Sequence, residues 1–164
     1  MNYWNNQFYV NMLLVSNLVA IVQLVAAARW PRTARMSFFL LFAWASWINW
    51  RTSQQDAPVY LEYANYTWSK WYQRFIEGWF AEHIKIAVGF IACGQALIAI
   101  SMLFKGWFFK IGCIGAIIFL LAILPLGFGA AFPCTLIMAI AVYILFKKSG
   151  NEFIWTASNA LHTQ

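Results

Sequence analysis

Apolar residues form five runs along the chain, at residues 8–28, 36–50, 84–104, 111–124 and 134–146. An α-helix rises about 1.5 Å per residue, so about twenty apolar residues cross the roughly 30 Å hydrocarbon core of a bilayer. Short turns that contain lysine, glycine or proline separate the last three runs, which makes these helices antiparallel neighbours. The pattern predicts an all-α integral membrane protein with five transmembrane helices.

The second run, 36–50, is short, because its fifteen residues rise only about 22 Å. If it did not cross, Lys105 and Lys110 would lie outside the cell, although basic residues prefer the cytoplasmic side. Arg51 can extend its charge toward water, so the polar residues 52–55 complete the span near the interface. We therefore expect this run to cross as well.

Residues 68–80 show a different pattern, in which aromatic and polar side chains alternate at helical spacing. Large apolar residues recur at steps of three and four: Trp68, Trp71, Tyr72, Phe75, Ile76, Trp79 and Phe80. Polar residues such as Lys70, Arg74 and Glu77 fall on the other face. Rings beside charges suit the headgroup layer of a bilayer better than hydrocarbon or open water. The pattern predicts an external, interfacial amphipathic helix over 59–83.

Composition and charge agree with a membrane location. Hydrophobic residues make up 63% of the chain and charged residues 10%, more apolar surface than one soluble core of 164 residues could hide. The net charge of +6 is spread over segment ends and not gathered on one face, which argues against nucleic-acid binding.

The basic residues also predict the orientation. The predicted cytoplasmic side holds Arg29, Arg32, Arg35, Lys105, Lys110, Lys147 and Lys148. On the predicted external side, Arg51, Lys70, Arg74 and Lys85 are balanced by Asp56, Glu62, Glu77 and Glu82. This asymmetry predicts an N-terminus outside and a C-terminus in the cytoplasm. The chain then divides into an N-terminal helix with a basic cytoplasmic loop (1–35), a four-helix core (36–148) and a cytoplasmic tail (149–164).

Two polar side chains of the third span are candidates for binding. His83 lies beside Glu82 and Lys85 at the outer mouth of the helix, where it is either solvated or in contact with a quinone headgroup. Gln95 lies about 18 Å deeper along the axis. An amide at that depth needs a partner, which is either another helix or a bound headgroup.

The three cysteines, Cys93, Cys113 and Cys134, fall singly on three different helices. No Cys-x-x-Cys pair occurs, so the spacing indicates neither a metal site nor a redox pair. We expect these cysteines to be small packing residues.

Three stretches carry a family resemblance: Tyr66-Thr-Trp-Ser-Lys-Trp-Tyr-Gln-Arg-Phe-Ile-Glu-Gly-Trp-Phe-Ala-Glu-His83, Gly94-Gln-Ala-Leu-Ile-Ala-Ile-Ser-Met-Leu103 and Leu124-Pro-Leu-Gly-Phe-Gly-Ala-Ala-Phe-Pro133. Together they resemble the DoxX-like family of small bacterial membrane proteins, which includes the DoxD subunit of thiosulfate:quinone oxidoreductase. The resemblance covers residues 36–148 and would correspond to the four-helix core of that family, with the first helix as an N-terminal addition. Where such proteins often carry a glutamate, this chain has Gln95.

Two functions from different classes follow. The resemblance implies a subunit of a quinone-linked membrane oxidoreductase, in which His83, Gln95 and Trp79 contact a quinone or a lipid headgroup. The alternative is a non-catalytic accessory subunit that packs against a larger membrane complex through its tryptophan-rich faces. Both place the chain in the bacterial inner membrane, with lipids and other membrane subunits as partners. Neither involves a metal or nucleic acid.

Overall fold

The structure, a computed structural model, describes residues 7–149 and residue 154, and this part of the chain is all-α. Its six α-helices are α1 (Gln7–Arg29), α2 (Pro31–Gln55), α3 (Lys70–Phe75), α4 (Ala81–Ser101), α5 (Trp107–Ile123) and α6 (Cys134–Lys148). Between them lie two 3-10 helices, Ala57–Asn65 and Leu124–Ala130, and a π-helix, Ile76–Phe80. The predicted tail over 149–164 lies outside the described residues, apart from Ser149 and Ile154.

Within the residues that the structure describes, three helical stretches are long and apolar enough to cross a membrane: Val10–Arg29, Lys70–Ser101 and Trp107–Gly127. The predicted short run 36–50 belongs to α2, which is 25 residues long and extends beyond the run at both ends. The predicted basic loop is reduced to Trp30, because Pro31 already begins α2. Proline suits this position, since its missing N–H would have no partner in the first turn of a helix.

The ends of five helices meet at one end of the bundle, which we call the basic end. Lys148 Nζ donates to the Ala28 carbonyl at 2.9 Å and so joins the ends of α6 and α1. Arg35 Nε, near the start of α2, donates to the Met102 carbonyl at 2.9 Å, just after α4. The Arg35 guanidinium also lies 4.3 Å from the centre of the Phe109 ring in α5. Consequently α1, α4 and α6 end here, whereas α2 and α5 begin here.

Small residues bring α4 and α5 close together. Gly112 lies so near Ser101 that a Cβ atom added to the glycine would overlap the serine side chain. At Gly115, one turn further, an added Cβ would lie 3.6 Å from Ile98, an ordinary van der Waals contact. Close backbone approach of this kind favours helix association where no hydrophobic driving force exists between helices.

Residues 57–80, which we call the covering segment, differ from the single amphipathic helix predicted over 59–83. The segment consists of the first 3-10 helix, α3 and the π-helix. Ser69 accepts a hydrogen bond from the Tyr72 N–H at 3.4 Å, so a new helix begins at Lys70. Gly78 and His83 have non-helical backbone angles and kink the chain where it enters α4. The prediction of one continuous helix was therefore wrong.

The covering segment packs on the corner between α5 and α6. Thr67 Oγ1 donates to the Pro125 carbonyl and the Tyr72 hydroxyl to the Ala122 carbonyl, both at 2.6 Å. These contacts satisfy backbone carbonyls at the point where α5 stops being an α-helix.

Glycines in the same corner make room for the covering segment. A Cβ atom on Gly127 would lie 2.9 Å from the Tyr66 carbonyl, and this glycine has a φ of +63°. A Cβ atom on Gly129 would lie 2.7 Å from the Tyr63 ring. Any larger residue at either position would push the covering segment off the corner.

Candidate functional site

The helical stretch Lys70–Ser101, which is kinked at Gly78 and His83, is called the kinked helix below. Four rings stack along its exposed side and form what we call the aromatic ladder: Trp71, Phe75, Trp79 and His83. Successive ring centres lie 5.8, 5.7 and 4.8 Å apart, and the planes of each pair are within 23° of parallel. The spacing of four residues places these side chains above one another on a helix. Trp71 is 68% exposed and Trp79 53% exposed, so the ladder is a surface feature.

The last two rings of the ladder are joined by a hydrogen bond as well as by stacking. His83 Nδ1 lies 2.9 Å from the Trp79 carbonyl oxygen. A carbonyl oxygen only accepts, so Nδ1 carries the proton, and in the neutral imidazole Nε2 is left as an acceptor. The structure thus brings together two of the three predicted site residues, Trp79 and His83.

Three other apolar residues of the predicted aromatic face, Tyr72, Ile76 and Phe80, point toward the bundle, whereas Trp68 is exposed. Ile76 is buried, and Tyr72 and Phe80 are half-buried. Phe80 packs on a small core formed by Tyr60, Ile84 and Val88. The face that the sequence predicted is therefore two stripes, one exposed and one packed on the bundle.

Gln95, the third predicted site residue, is not part of the ladder. It is only 3% exposed, and its Oε1 accepts a hydrogen bond from Asn49 Nδ2 in α2 at 2.8 Å. The Tyr60 hydroxyl in turn donates to Asn49 Oδ1 at 3.0 Å. We call these three side chains the polar trio. The amide predicted to need a partner has therefore found it on another helix, one of the two expected alternatives.

Burial changes the acidity of the tyrosines around the trio. It raises the pKa of Tyr60 above the ordinary tyrosine value, and the neighbouring Tyr63 adds to the rise, while a hydrogen bond with Thr52 opposes it. Burial also raises the pKa of Tyr63, with a further contribution from the Glu62 carboxylate. Both tyrosines are accordingly neutral donors over the physiological pH range.

Sequence analysis missed two members of the trio. Asn49 is an amide inside an apolar run, which was a usable signal, because a polar group at that depth must pair with another. Tyr60 lies eleven residues further, in a segment predicted to lie flat at the interface, so nothing in the pattern indicated that it turns inward.

A third residue that was not identified is Arg35, which the charge pattern only counted among the basic residues of the predicted cytoplasmic side. It is 1% exposed, and its guanidinium donates to the Phe104 carbonyl and to Ser149 Oγ in addition to Met102. The backbone carbonyls that follow α4 carry the partial negative charge of a helix C-terminus, which favours a cation there. Arg35 therefore joins α2, α4 and the end of α6.

The described residues contain no group of three or more histidine, cysteine or acidic side chains placed to hold a metal ion. Cys113 and Cys134 are buried free thiols, and Cys93 is an exposed one.

Comparisons with known proteins leave the family open. No protein-family model, curated protein or solved structure gives a significant match to this chain. The resemblance to the DoxX-like family stays a prediction.

Proposed function

We propose that this protein is an accessory subunit of the bacterial inner membrane, with five helices crossing the bilayer, the N-terminus outside and the C-terminus in the cytoplasm. Trp30, just before α2, and Trp50, five residues before its end, are both exposed. Twenty residues separate them, a rise of about 30 Å, which equals the thickness of the hydrocarbon core. Exposed tryptophans at that separation suit two headgroup layers.

The covering segment supports the same placement. The fifteen residues of α6 rise only about 22 Å, so a membrane-spanning α6 that ends at the cytoplasmic surface would begin below the outer surface. Irregular backbone at that depth is tolerated only where protein covers it. The donors Thr67 and Tyr72 supply that cover on the α5 side of the corner.

The kinked helix fits an interfacial entry into the membrane. The continuous stretch Lys70–Ser101 has 32 residues and would rise about 48 Å if straight, more than the bilayer core. The kinks at Gly78 and His83 allow the first turns to lie along the surface while α4 crosses.

The observation that carries the accessory role is the aromatic ladder. Trp71, Phe75 and Trp79 are exposed and His83 is half-buried, although the opposite side of the same helix is already packed on the bundle. Stacked rings form a flat surface whose side chains lose little freedom on binding, and aromatic residues are enriched at the centres of protein interfaces. The polar trio pairs with itself instead of lining a reaction site. We conclude that the ladder is a docking face for another membrane protein.

Site-directed photo-crosslinking tests this proposal. A benzophenone amino acid replaces Trp71 or Trp79 in the intact protein within its native membranes. The expected result is one cross-linked polypeptide, common to both positions. The matched control is the same probe at Trp107, an exposed tryptophan near the basic end, which should not form that product. Products containing only lipid from both ladder positions would overturn the accessory role.

A second candidate function is the quinone-linked subunit that the family resemblance implies. It is favoured by the Trp79–His83 pair, because His83 is the last ring of the ladder and its Nε2 can accept a hydrogen bond from the hydroxyl of a quinol, the reduced form of a quinone. Gln95 does not join it there, since this amide is buried in the trio. Quinone recovered in equal molar amount with the detergent-purified protein, and lost in the His83→Ala variant, would establish this function. Purified protein without quinone would exclude it.

A further inference from the structure

We propose that the groove between α5 and α6 at the basic end binds the headgroup of an acidic phospholipid. Two lysines flank this groove. Lys110 Nζ in α5 lies 6.0 Å from the centre of the Phe146 ring in α6. Lys147 Nζ lies 5.8 Å from the centre of the Tyr143 ring. The inference rests on the proposed membrane location but not on the accessory role.

These lysines differ from two other cations of the basic end. Arg35 and Lys148 donate to backbone carbonyls at the ends of helices, so their charge stabilises the fold. Lys110 and Lys147 instead extend across aromatic rings on the exposed side of the bundle, and both are exposed. Their ammonium groups are therefore placed to meet a ligand from the surrounding lipid.

Each lysine stands at the end of an exposed apolar stripe. On α5 the stripe is Lys110, Ile114, Ile118 and Leu121, and on α6 it is Leu136, Ile140, Tyr143 and Lys147. Steps of three and four residues keep each stripe on one helix face. Both stripes lead away from the basic end, because α5 begins there and α6 ends there. A ligand with a charged head and long apolar tails matches this arrangement.

The charge of the groove selects among lipids. Two ammonium groups attract a headgroup with a net negative charge more than a zwitterionic one, and basic pockets between membrane helices on the cytoplasmic side are suited to such lipids. Trp107 is 77% exposed at the start of α5 and places this end at headgroup level. Acyl chains of the same molecule would lie along Ile114 and Ile140.

Native mass spectrometry of the full chain in mild detergent tests the proposal. Phosphatidylglycerol and phosphatidylcholine with the same acyl chains are titrated separately, and bound lipid is counted. Phosphatidylglycerol should bind more tightly. The Lys110→Gln/Lys147→Gln variant should bind it roughly 30-fold more weakly, since each lysine near an anionic membrane surface contributes about 1 kcal/mol.

Three comparisons keep the test specific. Lys110→Arg/Lys147→Arg should retain binding, because it keeps both charges. Lys70→Gln/Lys85→Gln, which removes two exposed lysines distant from the groove, should leave binding unchanged. Inorganic phosphate should not compete at concentrations where the lipid saturates, because it lacks the tails. Equal binding of both lipids, or equal losses in the two glutamine variants, would overturn the proposal while leaving the photo-crosslinking result unaffected.

Discussion

Replacing Gly112 by alanine tests the closest helix contact in the bundle. The added methyl group would overlap both the Oγ and the Cβ of Ser101. Rotation of the hydroxyl cannot remove the overlap, because the Cβ position follows from the backbone of α4. The two helices must therefore separate, and every contact along their seam weakens.

The expected loss follows from two opposing effects. Overpacking a tight core costs typically about 1–3 kcal/mol, whereas alanine in place of glycine within a helix contributes up to about 1 kcal/mol of stability. The overlap is severe, so we expect a net loss of about 1–2 kcal/mol, or a fall in Tm of roughly 2–8 °C for a chain of this size.

Thermal unfolding in dodecyl maltoside, followed by far-ultraviolet circular dichroism, measures this change. Gly115→Ala is the matched control on the same helix, because its Cβ would meet Ile98 at 3.6 Å, and it should keep or raise the Tm. Adding Ser101→Gly to Gly112→Ala removes the overlapping atoms and leaves only a 3.7 Å contact with the Ser101 Cα, so the double variant should melt above Gly112→Ala. Equal Tm values for the two alanine variants, or no recovery in the double variant, would refute the packing argument.

Three further predictions concern polar groups. Asn49→Leu strands the Oε1 of Gln95 in a buried site and removes the side-chain acceptor of the Tyr60 hydroxyl, so it should lower the free energy of unfolding by about 1–3 kcal/mol, and more than Tyr60→Phe does; denaturant titration of both variants checks the order. The pKa values of Tyr60 and Tyr63 are raised in the folded state. The stability of the folded protein that depends on these neutral tyrosines is therefore complete below the unfolded pKa of about 10 and is lost as the pH rises through the folded pKa values. Above pH 10, the Tm should accordingly fall less steeply with pH in Tyr60→Phe/Tyr63→Phe than in the parent protein. Arg35→Lys keeps a charge but loses the planar fork of donors, so it should melt below the parent and above Arg35→Met; similar Tm values for parent and lysine variant would show that charge alone suffices.

The helices were predictable because a long apolar run needs no tertiary information. The start of α2 was not, because Arg35 interrupts the apolar pattern although it lies inside the helix, whereas the extension over residues 52–55 was expected. Hydropathy measures what a side chain prefers in isolation. Arg35 can be buried because its guanidinium donates to the carbonyls after α4, and the hydropathy of its own segment contains no information about those partners.

The candidate site was predictable only in part, because some of its contacts lie within one helix and others join helices that are far apart in the sequence. Trp79 and His83 are four residues apart, so helical geometry alone brings their rings together. The partner of Gln95 is 46 residues earlier in the chain, and only the register between α2 and α4 determines it. The sequence indicated that the amide of Gln95 needs a hydrogen-bond partner, but it did not indicate which residue that partner is.

The polar trio and the aromatic ladder are connected through the covering segment. Tyr60 ties the start of this segment to Asn49 in α2, while Thr67 and Tyr72 tie its middle to the corner after α5. The chain is thus held from two sides before it reaches Phe75. The face packed on the bundle and the aromatic ladder lie on opposite sides of the same helix. The hydrogen bonds of Tyr60, Thr67 and Tyr72 therefore determine the direction in which the ladder faces. A variant that disrupts the trio should therefore also weaken cross-linking from the ladder, although no residue of the trio belongs to the proposed docking face.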